Sequence, residues 1–178
     1  MHLVVITISG PHGAGKSTYA KEIAKALNLR YVSSGGIFRK YAKESGCNLE
    51  AFSKACEKNM DIDHKIDKIT IEEAMKGDVV LDGQLVSWMA KDYSNLSIYV
   101  TASMETRIKR IAERDGIDFT KAYKETVART KSETQRFKRM YKIDISNKDI
   151  YDLILSTDRI SKQKCTRILI AACTEIMS

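Results

Sequence analysis

The chain reads as an α/β protein with one parallel sheet and helices on both faces, and three observations predict it. Short apolar runs of strand character alternate with longer stretches of helical periodicity along the whole chain. The first run leads without a linker into a glycine-rich turn and then a helix. One proline and nine glycines in 178 residues leave no stretch for a long disordered connector, so the pattern belongs to a single domain, 1–178.

Leu3-Val4-Val5-Ile6-Thr7-Ile8 is the first strand. Tyr19 to Leu27 forms a helix with Ala20, Ile23, Ala24 and Leu27 on one face, and Asn28 stops it. Tyr31-Val32-Ser33-Ser34 is a short second strand. Gly35-Gly36 then break the chain before a helix holding Ile37, Phe38, Arg39, Tyr41 and Ala42, which Gly46 ends. Leu49 to Asn59 is another helix, with Leu49, Phe52, Ala55 and Cys56 on one face. A third runs from Ile62 to Met75, with Ile62, Ile66, Ile69 and Ala74 or Met75 inward, closed by Gly77. Three short helices exceed what a crossover needs, so residues 35–76 read as an inserted helical subdomain.

Asp78 to Gly83 is the third strand, Asn95 to Val100 the fourth and Leu153 to Thr157 the fifth, which predicts a five-stranded parallel sheet. Between the last two lie charged helices at Met104–Arg114 and Thr120–Tyr141. Phe119, Ala122, Tyr123, Val127 and Thr130 stand at helical spacing at the start of the second. Lys162 to Met177 closes the chain, with Ile168, Leu169, Ala172 and Ile176 on one side.

No run approaches the roughly 18 apolar residues of a membrane span. A cleaved leader is not expected, because its removal would destroy the first strand. Cys47, Cys56, Cys165 and Cys173 form no C-x-x-C pair, and His2, His12 and His64 lie too far apart for a zinc pattern, which points to reduced thiols in a cytoplasm. The net charge of +7 suits polyanions, nucleotide phosphate and nucleic acid alike.

Chemistry concentrates in Gly10-Pro11-His12-Gly13-Ala14-Gly15-Lys16-Ser17-Thr18, a G-x-x-x-x-G-K-S phosphate-binding loop, or P-loop. Its glycines let successive N–H groups face phosphate oxygens, and the helix N-terminus adds partial positive charge. Lys16 then reaches the β- and γ-phosphates of a bound triphosphate, and the Ser17 hydroxyl ligates Mg²⁺. Asp82 ends an apolar strand, the place for an acid that orients Mg²⁺ and its waters. Read alone, Asp82-Gly83 is equally a turn. Arg39 follows a second glycine-containing turn and is placed to grip another phosphate bidentately, where in isolation it would be a solvated helix residue. The segment 107–142 carries many cations, most of them interleaved with Glu105, Glu113, Glu125 and Glu133 at helix-pair distances. Phosphoryl transfer needs several arginines around the reacting phosphates, so two or three of these enter the site; spacing does not say which.

The chain resembles the nucleoside monophosphate kinases, most of all the short cytidylate kinases of archaeal type. The likeness rests on ITISGPHGAGKST at 6–18, YVSSGGIFRKYAKESG at 31–46, VVLDGQLVSWMAKD at 79–92, ARTKSETQRFKRMYKIDI at 128–145 and IYDLILST at 150–157. It implies a P-loop NTPase fold with residues 35–76 as the acceptor-nucleotide insertion and a short lid at about 115–140. Residues 10–18 would hold ATP. Ser34, Gly35, Arg39, Asp82, Gly83 and Gln84 would line the acceptor site, with Ser132 and Glu133 as candidates for base selection. Arg107, Arg129 and Arg136 would come from the lid and its flanks onto the transferring phosphoryl group. No strong base is implied, since a nucleotide phosphate is already nucleophilic. The resemblance implies a cytoplasmic monomer acting on ATP and CMP or dCMP.

Asp82-Gly83-Gln84 departs from the Asp/Glu-Gly-Arg of relatives, replacing a cation near the acceptor with a neutral amide. Two other functions stay open from the residues themselves. One is a P-loop kinase for AMP or a small metabolite. The other is a regulatory or RNA-associated NTPase, against which stand Asn147-Lys148-Asp149 preceding its strand and aromatics too few for a base-stacking platform. Neither a stable nucleic-acid partner nor a membrane is expected.

Overall fold

A computed structural model gives the architecture and describes residues 3–177, so His2 lies outside the described residues. Strands β1 (Val5–Ser9), β2 (Arg30–Ser33), β3 (Val79–Asp82), β4 (Leu96–Thr101) and β5 (Leu153–Ser156) form one parallel sheet in the order β2-β3-β1-β4-β5. The helices are α1 (Lys16–Ala26), α2 (Ser34–Glu44), α3 (Leu49–Lys58), α4 (Asp61–Met75), α5 (Val86–Met89), α6 (Met104–Asp115), α7 (Phe119–Tyr141) and α8 (Lys162–Met177).

Strand alternation sorts the core onto two faces. Ile6 and Ile8 of β1, Val80 of β3 and Leu96, Ile98 and Val100 of β4 pack with Ala20, Ile23 and Ala24 of α1 and Cys165, Leu169 and Cys173 of α8. Val5, Val79 and Leu81 pack on the opposite face against Ala74 of α4 and Val86 and Ala90. Removing each such side chain from water contributes about 1.5–3 kcal/mol, and this sheet carries most of them. On that second face Thr7 and Ser9 also meet Ser87 of α5, at 2.8 and 2.9 Å, so a hydrogen-bonded hydroxyl cluster sits beside the apolar contacts.

Helices α2–α4 lie between β2 and β3 and share a core of their own, built on Phe38, Ala42, Phe52, Cys56 and Ile66. Several sequence-based expectations differ in detail. Helix α2 begins at Ser34 and takes Gly35 and Gly36 into its first turn, because Ser33 caps it by accepting from the Gly36 amide at 3.1 Å. Helix α5, four residues long, is too short to show a period and escaped the sequence reading. Ala55 and Met75 face solvent while Ser53 and Asp63 are buried. Helix α8 turns Cys165, Leu169 and Cys173 inward, and Ile168 and Ile176 are exposed.

The two charged helices pack together as one hairpin. Gly116 ends α6 in a left-handed conformation, φ 64°, and Asp118 caps α7 by accepting from the Lys121 amide at 2.9 Å. Helix α7 has 23 residues, about 35 Å at 1.5 Å per residue, so the 115–140 region is largely one continuous helix. Its periodic apolar set is not its buried face. Ala122 is buried, but Phe119, Tyr123 and Val127 are exposed, and Thr126, Ser132, Glu133, Arg136 and Phe137 point inward.

Candidate active site

The order of the sheet puts the site at the carboxyl end of β1, where the chain leaves for β2 on one side and β4 later joins on the other. The loop from Gly10 to Gly15 turns there into α1. Gly10, φ 146°, leaves no room for a Cβ, which would run into the Val100 carbonyl oxygen. Gly13 packs so close to α6 that a Cβ would stand 2.5 Å from the Arg107 carbonyl oxygen. No side chain caps α1 at Gly15, which leaves its first amides for a ligand. Lys16 Nζ donates to the Pro11 carbonyl at 3.0 Å. Burial pushes its pKa down to about 8, against the pull of Asp82 and Glu133, with Arg129 and Arg107 adding to the depression.

The register of β3 beside β1 sets Asp82 level with Ile8, directly under the P-loop. Asp82 is 2% exposed, and its Oδ2 accepts from Ser17 Oγ at 2.5 Å, Tyr31 Oη at 2.9 Å and Ser33 Oγ at 3.0 Å. Among the described residues it makes no salt bridge. A carboxylate so enclosed and hydrogen-bonded only by hydroxyls has the chemistry to receive a divalent cation, since a hard cation of this kind takes one or two protein oxygens and completes its shell with phosphates and water. Ser17 and Asp82 therefore fit the metal expectation, and no cluster of three or more acidic, His or Cys ligands occurs among the described residues.

A cavity of about 660 Å³ runs from Lys16 and Ser17 past Ser34, Gly35, Arg39, Gly83 and Gln84 to Asp63, Ile66 and Asp67 of α4. That size suits a nucleotide-sized ligand. Arg39, one turn into α2, folds back over the helix start, with Nη1 3.4 Å from where a Gly35 Cβ would be. It makes no hydrogen bond or salt bridge among the described residues. Burial and the nearby charges of Arg114 and Arg129 lower its pKa, the mark of a guanidinium facing other cations across a space meant for anions. At the far end burial raises Asp67 to about 6, and Tyr141 Oη donates to its Oδ2 at 2.6 Å.

The cationic segment divides by structure. Arg129 and Arg136 line the cavity, together with Arg110 and Arg114, which the sequence reading left unassigned. Arg107 does not line it. Its Nε donates to the Ala102 carbonyl at 3.2 Å and its Nη1 to the His12 carbonyl at 3.0 Å, bracing the P-loop from behind. Arg136, 2% exposed, ion-pairs with Asp63 at 2.9 Å, and its Nη1 donates to Ser132 Oγ at 2.8 Å and the Ser53 carbonyl at 3.1 Å. Ser132 is thus buried against Arg136 and is not part of the cavity wall. Glu133 is part of the wall, facing His12 at 2.6 Å and Arg129 at 3.0 Å. Gln84 also turns to this corner, its amide donating to Glu133 and lying 2.7 Å from His12 Nε2. Asp63 and Asp67 had no signal in the sequence, since an acid in a charged amphipathic helix looks like solvated surface.

A parallel sheet with a P-loop at the end of its central strand, a buried acid on the neighbouring strand and arginines closing over the cleft defines a P-loop phosphotransferase. Within that class the chain belongs to the cytidylate kinase-like family, whose model matches residues 5–159. A protein of Staphylothermus marinus named cytidylate kinase is 47% identical over 94% of this chain and 94% of its own length. One of Pyrobaculum aerophilum with the same name is 43% identical over 98% and 95%. Among solved structures, an uncharacterized protein from Eubacterium ventriosum matches with a TM-score of 0.69 at 18% identity, covering 96% of this chain and 98% of that one. A shikimate kinase from Acinetobacter baumannii in complex with shikimate matches with 0.62 at 14%, over 97% and 94%. At such identities the likeness is one of fold. No helix among the described residues is long and apolar enough to cross a membrane.

Proposed function

We propose that the chain is a cytidylate kinase, moving the γ-phosphoryl group of ATP to CMP or dCMP. The observation that carries the acceptor is the cavity wall formed by Asp63, Asp67 and Arg136 together with Phe38 and Phe137. The base edge of cytosine offers one amino donor beside two acceptors. With a pKa of about 6, Asp67 is a carboxylate at neutral pH and receives the amino group; Arg136 retains an N–H of Nη2 for the acceptor atoms. Uracil turns an acceptor towards the acid and is disfavoured, because buried polar groups are left unpaired. This moves base selection from Ser132 and Glu133 to α4.

The remaining residues follow in order along the cavity. The P-loop amides and Lys16 hold the β- and γ-phosphates of ATP, and Arg39 holds the acceptor phosphate through its planar fork. Ser17 and Asp82 hold Mg²⁺, which when bound neutralises charge building on the donor phosphates. An acceptor phosphate oxygen forms its bond to the γ-phosphorus as the bond to the ADP oxygen breaks, giving ADP and CDP. A monophosphate with its second pKa near 6 is largely dianionic at pH 7, so no side-chain base is required. The cysteines, unpaired among the described residues, support a reducing cytoplasm.

ADP release measured over CMP, dCMP, UMP, AMP and GMP tests the reading. CMP and dCMP should be the best acceptors, UMP poorer and both purines poor. AMP or a non-nucleotide ahead of CMP would overturn the cytidylate assignment, and slow hydrolysis alone would overturn transfer itself.

A further inference from the structure

One side chain on α7 touches the donor side of the site, the loop after β3 and a cavity arginine at once. Glu133 is 5% exposed, and its two oxygens face different partners. Oε2 receives His12 Nε2 at 2.6 Å, from the middle of the P-loop, and the amide of Gln84, two residues past Asp82. Oε1 receives Arg129 Nε at 3.0 Å. Burial works against the charge, but the neighbouring His12, Arg129 and Arg136 outweigh it and hold Glu133 below the usual carboxylate range, while burial lowers His12.

The consequence for Arg129 is geometric. An arginine held through Nε alone has one edge fixed and the other free. Nη1 and Nη2 make no hydrogen bond among the described residues, and the Phe38 ring flanks the guanidinium carbon at 5.7 Å. The side chain lines the cavity beside Lys16 and is close enough for its charge to depress that lysine. A planar fork anchored on one edge and open on the other suits a phosphoryl group that develops charge on its equatorial oxygens. Both oxygens of Glu133 are engaged with protein partners.

We propose that Glu133 is a positioning residue for phosphoryl transfer: it ties Arg129 to the P-loop through His12, so that the free edge of the guanidinium meets the transferring group only when α7 and the P-loop are docked. This rests on the kinase reading above. Glu133→Gln keeps the size but removes the negative charge and one of the two accepting oxygens that His12, Gln84 and Arg129 share, so the bridge is weakened with little change in volume.

A double-mutant cycle separates positioning from general support. CMP kinetics are measured for the parent, Glu133→Gln, Arg129→Ala and the pair, with melting temperatures as the folding control. Both single variants should lose about tenfold to a hundredfold in kcat with the CMP KM within about threefold. The pair should be no worse than Arg129→Ala alone. Losses that multiply, or a Glu133→Gln defect confined to KM, would overturn the inference. The same four proteins are titrated with a fluorescent ATP analogue, where the losses should again fail to multiply. A parent inactive on every acceptor sinks the kinase reading alone, while multiplying losses of ATP affinity sink the positioning role alone. If Glu133→Gln does not fold, His12→Ala replaces it in the cycle, because it cuts the bridge on the P-loop side and leaves the Arg129 pair in place.

Discussion

At the residue scale, the binding and the chemistry proposed for Lys16 leave a signature in pH. In the free protein burial holds its pKa near 8, below the ordinary 10.5, so between those values the ammonium is partly lost. A triphosphate beside it favours the charged form, and binding in that window must therefore draw a proton from solvent. ATP affinity should be flat below pH 8 and fall above it, by at most tenfold per unit. Titration calorimetry at pH 8.5 in two buffers of different ionisation heat should report uptake of up to one proton, absent in Lys16→Met. Buffer-independent heats in the parent would place the lysine charge outside the ATP site. Lys16→Ala should nearly abolish turnover while the fold survives, because the side chain's one hydrogen bond among the described residues is to its own loop.

At the scale of the element, α2 carries the proposed acceptor-phosphate clamp. Its capped start turns two glycines inward, and the space above them holds the Arg39 fork. Arg39→Lys keeps the charge but loses the planar pair of donors, so the CMP KM should rise about tenfold to a hundredfold with the ATP KM nearly unchanged. Equal changes in both constants would assign Arg39 to the donor side. Elements also show what the sequence could reveal. The P-loop and Asp82 were legible because strand, turn and helix follow one another within a few residues, and because an acid at the end of an apolar run is conspicuous. Helix α7 was legible as a helix but not in its orientation. Apolar spacing pointed to Phe119, Tyr123 and Val127, which are exposed, whereas the buried face carries Ser132, Glu133 and Arg136. A helix that lines an active site buries polar groups against polar partners, and hydrophobic periodicity has no measure of that. The partners themselves, Asp63 and His12, lie 73 and 121 residues from Arg136 and Glu133, beyond any local pattern.

For the whole molecule, the contact that matters most is the buried pair between α7 and α4. Arg136 and Asp63 join the α2–α4 layer, which has its own small core, to the hairpin of α6 and α7. Removing one member leaves the other charge enclosed, so Arg136→Ala should destabilise the protein by about 3–5 kcal/mol in equilibrium denaturation. A loss below 1 kcal/mol would mean that water reaches Asp63 and compensates it. The same helix that carries Arg136 also touches the P-loop at Glu133, and its last residue, Tyr141, reaches Asp67 at 2.6 Å. One unbroken helix therefore spans from the P-loop contact at Glu133 to the acceptor-layer contact at Tyr141. The two ends of the cavity are thus joined by one piece of secondary structure, and a change made at Tyr141 or Asp67 should be felt at His12.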